Sequence, residues 1–312
     1  MEAIIVDSVT KEFGSSIVVE SLSFTVKKGS IHGFLGPNGA GKTTTMKMIS
    51  GVIPSTSGSI TVLNTKLEDN PNFIKSKLGV LLENPPLYLD MTVKEYLFFV
   101  CELHKTPKNK IKDYVAEAIL KLDLKEVENR IIGNLSKGYK QRVGVAQAVV
   151  FKPEIIILDE PTVGLDPKAV IEMRTLIKNL GKEYTVLLSS HLLHEISLIC
   201  DEVTIISRGK LKTTGTIENI IAHLNEDRKI SALISGDPVG LLDKLKNWDI
   251  VKKYRITPKE NYNLIEIYVD QSHDYRELIS KEIFRHNLSL IEFYQEEFNL
   301  EDAFLKYTGE LN

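Results

Sequence analysis

The sequence is poor in cysteine and has no long hydrophobic run. Its two cysteines, Cys101 and Cys200, exclude a disulfide-stapled fold and suit a reducing cytosol. No apolar run approaches the roughly 18 residues that a transmembrane helix needs, and the N-terminus, MEAIIVDSVTKEF, is not a signal peptide. If the protein works at a membrane, we therefore expect another chain to supply the membrane-spanning part.

A strong excess of charge of either sign is also missing. There are 39 Lys and Arg residues against 42 Asp and Glu residues, which gives a formal net charge of −3. Because the surface of a nucleic-acid-binding protein is usually basic, we expect no nucleic-acid partner. The length of 312 residues is enough for two domains with a sizeable hydrophobic core.

The stretch GPNGAGKTT, at residues 36–44, matches the phosphate-binding loop pattern G-x-x-x-x-G-K-[ST]. A short apolar strand at 31–35 precedes it and a helical pattern follows it. This context disfavours a glycine-rich turn that matches the motif only by chance. Lys42 would reach the β- and γ-phosphates, and the Thr43 hydroxyl would be a ligand of Mg²⁺. The predicted phosphate-binding residues are Gly36, Pro37, Asn38, Gly39, Ala40, Gly41, Lys42, Thr43 and Thr44.

Two carboxylates follow a fully apolar strand at residues 155–158. Asp159, at the strand end, can hold Mg²⁺, and Glu160 is placed to polarise an attacking water. A solvated strand end is the alternative, but four apolar residues directly before the pair favour a functional site. The next predicted strand, TVLLSS, ends at His191. Because ligands collect at the carboxyl ends of parallel strands, we expect Gly36, Asp159 and His191 to face one crevice.

Two further motifs are candidates for nucleotide contact. The Ser-Lys-Gly turn of LSKGY, at residues 135–139, opens a helix whose backbone N–H groups can meet a phosphate. Phe13 precedes the phosphate loop and could stack on a nucleotide base. A core position in a strand is the alternative for Phe13, and on sequence grounds alone it is the more common role.

In this order the motifs resemble those of the nucleotide-binding subunit of an ATP-binding cassette (ABC) transporter. The resemblance covers about residues 2–220, and within the family it is strongest to exporter ATPases serving drug, sodium, polysaccharide and gliding-motility systems. The family motifs correspond to an aromatic A-loop at Phe13, Walker A at 36–44, the signature at 135–139, Walker B at 155–160, a D-loop around Asp166 and a switch histidine at His191.

The resemblance implies an ATPase in which two copies of the chain hold ATP and Mg²⁺ between them, head to tail. The implied catalytic residues are Lys42, Glu160 and His191. The implied metal ligands are Thr43, Glu83 and Asp159. The implied nucleotide contacts outside the phosphate loop are Phe13, Ser136, Gly138 and Asp166. A zinc site at His191 and His194 is disfavoured, because no third ligand with suitable spacing is evident.

Two positions depart from the family pattern. LSKGY has Lys137 and Tyr139 where the usual LSGGQ signature has Gly and Gln, whereas Ser136 and Gly138, which would touch the γ-phosphate, are kept. The Q-loop position, normally Gln, is Glu83, at the end of a strand predicted over 76–83. A carboxylate is a harder and charged Mg²⁺ ligand. We expect these departures to affect rate and coupling more than ATP binding.

The predicted fold is α/β. A P-loop ABC cassette is expected over 1–224, with a mixed sheet core, an antiparallel β edge and a helical subdomain at about 84–152. From residue 225 the pattern becomes β-α-β-β-α-β, the ferredoxin-like order, which predicts a smaller α+β accessory domain over 225–312. An irregular tail packed on the cassette is the alternative. Similar extensions occur in the exporter branch, and we expect a role in dimer stabilisation or regulation.

The resemblance also implies a separate transmembrane permease subunit and a location at the cytoplasmic face of the cell membrane. One rival is a soluble ABC protein acting on ribosomes or DNA, but such proteins usually hold two cassettes or a long inserted coiled coil, and this sequence has one phosphate loop. A regulatory module that holds ATP without turnover is a second rival, although Glu160 and His191 are both present. The transported substrate cannot be read from this chain.

Overall fold

The computed structural model of the protein describes residues 1–83, 85–222, 228–270, 273–296 and 299–309. The strands, in chain order, are β1 (Glu2–Phe13), β2 (Ser16–Lys27), β3 (Ile31–Leu35), β4 (Ser57–Val62), β5 (Thr65–Lys66), β6 (Leu78–Leu81), β7 (Ile155–Asp159), β8 (Thr185–Ser190), β9 (Glu202–Ser207), β10 (Lys210–Thr216), β11 (Arg228–Ser235), β12 (Val251–Pro258), β13 (Asn263–Val269) and β14 (Ser289–Glu296). The helices are α1 (Lys42–Ile49), α2 (Pro71–Lys77), α3 (Val93–Leu103), α4 (Lys108–Lys121), α5 (Lys137–Val149), α6 (Pro167–Leu180), α7 (Leu193–Ser197), α8 (Ile217–Ala222), α9 (Val239–Lys246), α10 (Arg276–Arg285) and α11 (Leu300–Thr308).

The chain divides into two compact units, Met1–Ile217 with Phe304–Asn312, and Glu218–Ala303. These bounds differ from the division at 224 and 225 expected from the sequence, and residue 225 lies outside the described residues. The change in residue pattern marks where new strands begin. A compact unit is defined instead by the chain segments that lie close together in space, and local patterns do not record those neighbours.

The first unit contains two sheets. The strands β2, β1, β4 and β5 pair in that order and antiparallel, which is the antiparallel edge that the sequence predicts. The larger sheet has the order β10-β9-β3-β8-β7-β6, parallel except for the antiparallel pairing of β10 with β9. Every residue of β3, β7 and β8 is buried. Parallel strands covered on both faces read as continuous apolar runs, which explains the apolar patterns before the phosphate loop and before Asp159.

The register of the larger sheet brings three chain segments to one edge. Leu35 at the end of β3 pairs with Ser190 at the end of β8, and Asp159 at the end of β7 pairs with Ser189. The phosphate loop, Glu160 and His191 therefore leave adjacent parallel strands at the same carboxyl edge. Within β3, burial lowers the pKa of His32 to about 4, so this strand enters the loop without a charge at neutral pH.

A strand predicted over 76–83 is partly wrong. Residues up to Lys77 belong to α2, and β6 ends at Leu81. The side chain of Asn70 accepts a hydrogen bond from the N–H of Phe73 at 3.1 Å, and Pro71 occupies the first turn. An Asn-Pro pair is a helix start signal, and it begins a helix that ends directly before the strand.

A helical segment connects β6 to β7 through α3, α4 and α5. It lies within the range of about 84–152 predicted for a helical subdomain, of which residue 84 lies outside the described residues. The helix α3 begins at a capping box, in which Thr92 and Glu95 each accept a hydrogen bond from the other's backbone N–H. The hydrogen bonds donated by Thr92 lower the pKa of the Glu95 carboxyl group.

The second unit has the element order β-α-β-β-α-β that the sequence predicts. Its sheet order is β12-β13-β11-β14, with all pairs antiparallel, and its core includes Ile230 and Ile267 from the sheet and Leu241 and Ile279 from the two helices. Among the helices of the described residues, none has the length and apolarity needed to cross a membrane.

Candidate active site

The phosphate loop joins β3 to α1, and its backbone requires glycine. Gly41, at the N-terminus of α1, has a φ of 102°, a left-handed conformation that side chains disfavour. At Gly36 the obstacle is space, because a Cβ atom there would lie 2.6 Å from the carbonyl oxygen of Ile206. The turn therefore depends on glycine at both of these motif positions.

Lys42, the first residue of α1, is buried beside the Walker B carboxylate. Its ammonium group donates to the carbonyl oxygen of Gly36 at 2.8 Å and lies 3.2 Å from Glu160 Oε1. Since Lys42 and Glu160 are both buried, each charge stabilises the other. The pair places the loop's cation directly against the predicted general base.

Glu160 follows β7 in an unusual backbone conformation, with a φ of 49°. Its N–H donates to Ser189 Oγ at 3.0 Å, and the Ser189 hydroxyl donates to Asp159 Oδ1 at 2.5 Å. On the other side, His191 Nδ1 lies 2.8 Å from Glu160 Oε2. An ionised carboxylate only accepts hydrogen bonds, so Nδ1 of His191 carries the hydrogen. The contacts with His191 and Lys42 hold the Glu160 carboxylate in one orientation, and Ser189 fixes the Glu160 backbone.

Sequence reasoning missed Ser189, which links the two strand ends. The available signal was a pair of serine hydroxyls at the end of TVLLSS, a fully buried strand with an apolar centre. A buried polar side chain needs a hydrogen-bond partner, and the neighbouring strand end supplies Asp159.

Asp159 has one oxygen available for a metal ion. Its side chain is fully buried, and within the described part of the chain Oδ2 has no hydrogen-bond partner. Leaving a buried carboxylate oxygen unsatisfied is costly unless a cation or water meets it. Because Mg²⁺ prefers oxygen ligands and keeps several waters, it needs few protein ligands. No cluster of three or more His, Cys, Asp or Glu side chains suited to a metal occurs among the described residues.

An open cleft of about 410 Å³ lies over the phosphate loop. It brings together loop residues, Glu160, His191 and Glu83, the residue at the Q-loop position. Val18 and Val163 are the lining residues that sequence reasoning missed. The lining consists of Val18, Asn38, Gly39, Gly41, Lys42, Thr43, Thr44, Glu83, Glu160, Val163 and His191.

Phe13 lies at the end of β1 with half of its surface exposed, so the core alternative for this residue is wrong. The ammonium group of Lys11 lies 4.9 Å from the centre of the Phe13 ring, an arrangement typical of a cation–π contact. Among the described residues, Val18 lines the phosphate cleft and Phe13 does not. A base contact by Phe13 stays a prediction.

The signature residues line a second cleft, of about 380 Å³. Ser136 caps α5, where its Oγ accepts a hydrogen bond from the Tyr139 N–H at 3.4 Å. Asp166 caps α6 by accepting from the Ala169 N–H at 3.0 Å. The lining consists of Asp123, Ser136, Lys137, Gly138, Tyr139, Arg142, Gly164, Leu165, Asp166, Lys168, Ala169, Glu172 and Met173.

Residues 19–163 match the family model described as ABC transporter. Over 306 residues the chain is 32% identical to the linearmycin resistance ATP-binding protein LnrL of Bacillus subtilis (strain 168), and the alignment covers 97% of each chain. The chain belongs to the ABC transporter family.

Two further comparisons agree with this membership. The bacitracin transport ATP-binding protein BcrA of Enterococcus faecalis is 33% identical over 306 residues, covering 97% of this chain and 95% of that one. The structure of cbiO1 from Clostridium perfringens, part of the ABC transporter complex cbiONQ, superposes with a TM-score of 0.65 and 25% identity over 72% of this chain and 92% of that one. The protein is thus an ABC ATP-binding subunit that hydrolyses ATP, and the P-loop cassette fold predicted from the sequence is confirmed.

Lys137 and Tyr139, the two unusual residues of the ABC signature, each have a defined neighbour. The Lys137 ammonium nitrogen lies 2.0 Å from the position that a Cβ atom on Gly164 would take, so it packs directly on the D-loop glycine. The Arg142 guanidinium lies 5.6 Å from the centre of the Tyr139 ring. Arg142 also bridges Asp123 and a second carboxylate on α6. Lys137 therefore packs on a neighbouring segment, Tyr139 packs on Arg142 of its own helix, and Ser136 and Gly138 stay at the helix start.

Glu83 is expected to set the Mg²⁺ requirement of this ABC ATPase. Glutamine keeps the length and one carbonyl oxygen of Glu83 but removes the charge. Glu83→Gln should therefore retain ATP binding and most hydrolysis with a modestly higher Mg²⁺ midpoint. Glu83→Ala should reduce hydrolysis more than Glu83→Gln does. Titration of ATPase rate against Mg²⁺ measures this, with Glu126→Gln, an exposed carboxylate outside the cleft, as control. If Gln and Ala behave alike and neither moves the midpoint, Glu83 is not a ligand.

Proposed function

We propose that two copies of this ABC protein bind two ATP molecules head to tail and power an exporter through a separate membrane permease. The supporting observation is that two clefts, which share no lining residue, contain most of the candidate residues. One cleft carries Lys42 and Glu160, and the other carries Ser136 and Gly138. A second copy would therefore complete each site with its signature cleft.

Within one site, Lys42 and the loop N–H groups would hold the β- and γ-phosphates. The phosphates offer Lys42 a stronger anionic partner than Glu160, with which it pairs at 3.2 Å. Once Lys42 turns to them, the Glu160 carboxylate is free to accept a proton from the attacking water. His191 keeps that carboxylate oriented through its bond at 2.8 Å. The rest of the catalysis is positioning and charge stabilisation.

Asp159, Thr43 and Glu83 are the residues that would hold Mg²⁺. The support for Asp159 is its buried Oδ2, which has no hydrogen-bond partner among the residues that the structure describes. Thr43 and Glu83 line the phosphate cleft. When bound, the ion would neutralise charge on the phosphate oxygens. Asp159 itself is fixed by Ser189, so its free oxygen points in one direction.

An apolar groove of about 470 Å³ is the proposed docking site for the permease. It lies beside the segment that follows Glu83 and contains several exposed side chains, including Val52, Tyr88 and Leu103. His104 and Phe151 stack at one side with ring centres 3.5 Å apart. An exposed apolar patch on a water-soluble unit marks an interaction site, and a helix or loop of the permease would cover it.

Leu103→Asp should weaken the protein's association with its permease while basal ATPase activity is unchanged. Leu103 is 63% exposed in the groove, so the monomer tolerates a charge there, but a covering partner would bury that charge without a counterion. Co-purification from membranes and permease-stimulated ATPase activity measure the effect. Leu120→Asp is the matched control, because Leu120 is 67% exposed on α4 and lies outside the groove. Equal retention of both variants on the permease would contradict this docking site.

The proposed direction of transport is export, and the proposed location of the protein is the cytoplasmic face of the cell membrane. Two relatives that align with nearly the whole chain are named for linearmycin resistance and bacitracin transport, which supports outward transport of antibiotic-like molecules. Substrate contacts would lie in the permease. For the second unit, we propose a role in dimer stabilisation or regulation.

A further inference from the structure

A small enclosed void lies between the loop that follows β7 and the loop that follows β8. Pro161 and Thr162 directly follow Glu160, and Ser190 directly precedes His191. The walls of the void therefore include the chain neighbours of both Glu160 and His191. Its volume is about 10 Å³. It is lined by Pro161, Thr162, Arg174, Ile177, Leu188, Ser190, Glu195, Ile196 and Ile199.

Arg174 and Glu195 form an ion pair across this void. Nη1 of Arg174, on α6, lies 3.4 Å from both carboxylate oxygens of Glu195, on α7. The side chains are only 22% and 16% exposed. Among the described residues, Glu195 is the one ion-pair partner that Arg174 has. Because a partly buried charge without a partner is unfavourable, loss of either side chain would weaken the attachment of α7 to α6.

The helix α7 is held by contacts with other segments: Ile196 is fully buried, and the Arg174–Glu195 pair attaches the helix to α6. It has five residues, and its N-cap, Leu192, makes no side-chain capping bond. A helix this short has little stability of its own. It starts two residues after His191, so a displacement of α7 moves the His191 ring. The bond from His191 to Glu160, at 2.8 Å, would lengthen as a result.

We propose that Arg174 is a positioning residue for ATP hydrolysis. Through Glu195 it fixes α7 on α6, and α7 in turn fixes His191 against the Glu160 carboxylate. Neither Arg174 nor Glu195 lines the phosphate cleft or the signature cleft, so the pair acts on orientation and not on nucleotide contact. The inference rests on the roles proposed for Glu160 and His191.

Arg174→Ala in the full-length protein should lower kcat by about 10- to 10²-fold, the scale of a misplaced catalytic group. The KM for ATP and nucleotide affinity should stay within about twofold, since no ATP contact is lost. Arg174→Lys, which keeps the charge, should recover most of kcat. The exchanged pair Arg174→Glu with Glu195→Arg should turn over faster than either single variant. Thermal unfolding of each variant separates misplacement from loss of fold.

Lys77→Ala is the matched control. It breaks the Lys77–Glu154 pair, at 3.0 Å, beside the opposite end of β7, and it should leave kcat unchanged. The inference would be overturned if Arg174→Ala kept the wild-type kcat. It would also be overturned if neither Arg174→Lys nor the exchanged pair recovered any kcat. Glu160→Gln is measured in parallel. If Glu160→Gln itself keeps wild-type turnover, the role proposed for Glu160 fails and the inference with it; if Glu160→Gln loses turnover, the Arg174 series tests the inference alone.

Discussion

Glu160→Gln should reduce ATP turnover by about 10²-fold or more while Mg·ATP binding is retained. Glutamine has the shape of glutamate, and its carbonyl oxygen still accepts the hydrogen bond from His191 Nδ1, which lies 2.8 Å from the carboxylate in the structure. It cannot accept a proton from water. The amide also removes the charge that pairs with Lys42, which frees Lys42 for the phosphates. The variant should therefore accumulate as an ATP-bound dimer.

Single-turnover hydrolysis and size exclusion with ATP measure the two parts of this prediction. Glu154→Gln is the control, because Glu154 directly precedes β7 and is partly exposed at the opposite end of the strand. That variant should hydrolyse ATP like the wild type and show no stabilised dimer. Wild-type turnover in Glu160→Gln would show that another group activates the water.

Lys42→Ala and Ser136→Ala should have different effects on a single copy. Lys42→Ala removes the cation of the phosphate loop, and a loss of about 10²-fold or more in ATP affinity is expected from a charge-assisted contact of this kind. Ser136 lies in the signature cleft, so Ser136→Ala should leave ATP binding to the monomer intact. It should weaken ATP-dependent dimerisation instead.

Equilibrium binding of a fluorescent ATP analogue at low protein concentration measures the first effect, and sedimentation with ATP measures the second. Lys42→Ala also leaves Glu160 buried without its cation, so the folded fraction must be checked by circular dichroism. Equal loss of monomer affinity in both variants would contradict the head-to-tail arrangement.

The parts that local sequence patterns encode were predictable. Glycine positions in the phosphate loop follow from backbone conformation and space, as Gly41 and Gly36 show. The parallel strands were visible as unbroken apolar runs because both of their faces are covered. Asp159 and Glu160 could be found because charged residues directly at the end of a buried apolar strand indicate a functional site.

Other features depend on contacts between distant segments, which no local pattern records. Ser189 matters because β8 pairs with β7, and Arg174 because α6 packs beside α7. The grouping of Phe304 with the first unit likewise follows from proximity in space and not from periodicity. Phe13 was expected to be a core residue or a base contact, and its half-exposed position excludes only the first.

Mixing Lys42→Ala protein with Ser136→Ala protein tests the central claim, a composite ATP site, most directly. In a head-to-tail dimer of one copy of each, one site combines two altered halves, and the other combines an intact phosphate loop with an intact signature. Random pairing of equal amounts would restore about a quarter of the wild-type sites. The account predicts that the mixture hydrolyses ATP faster than either variant alone. A mixture no more active than the average of the two separate proteins would contradict it.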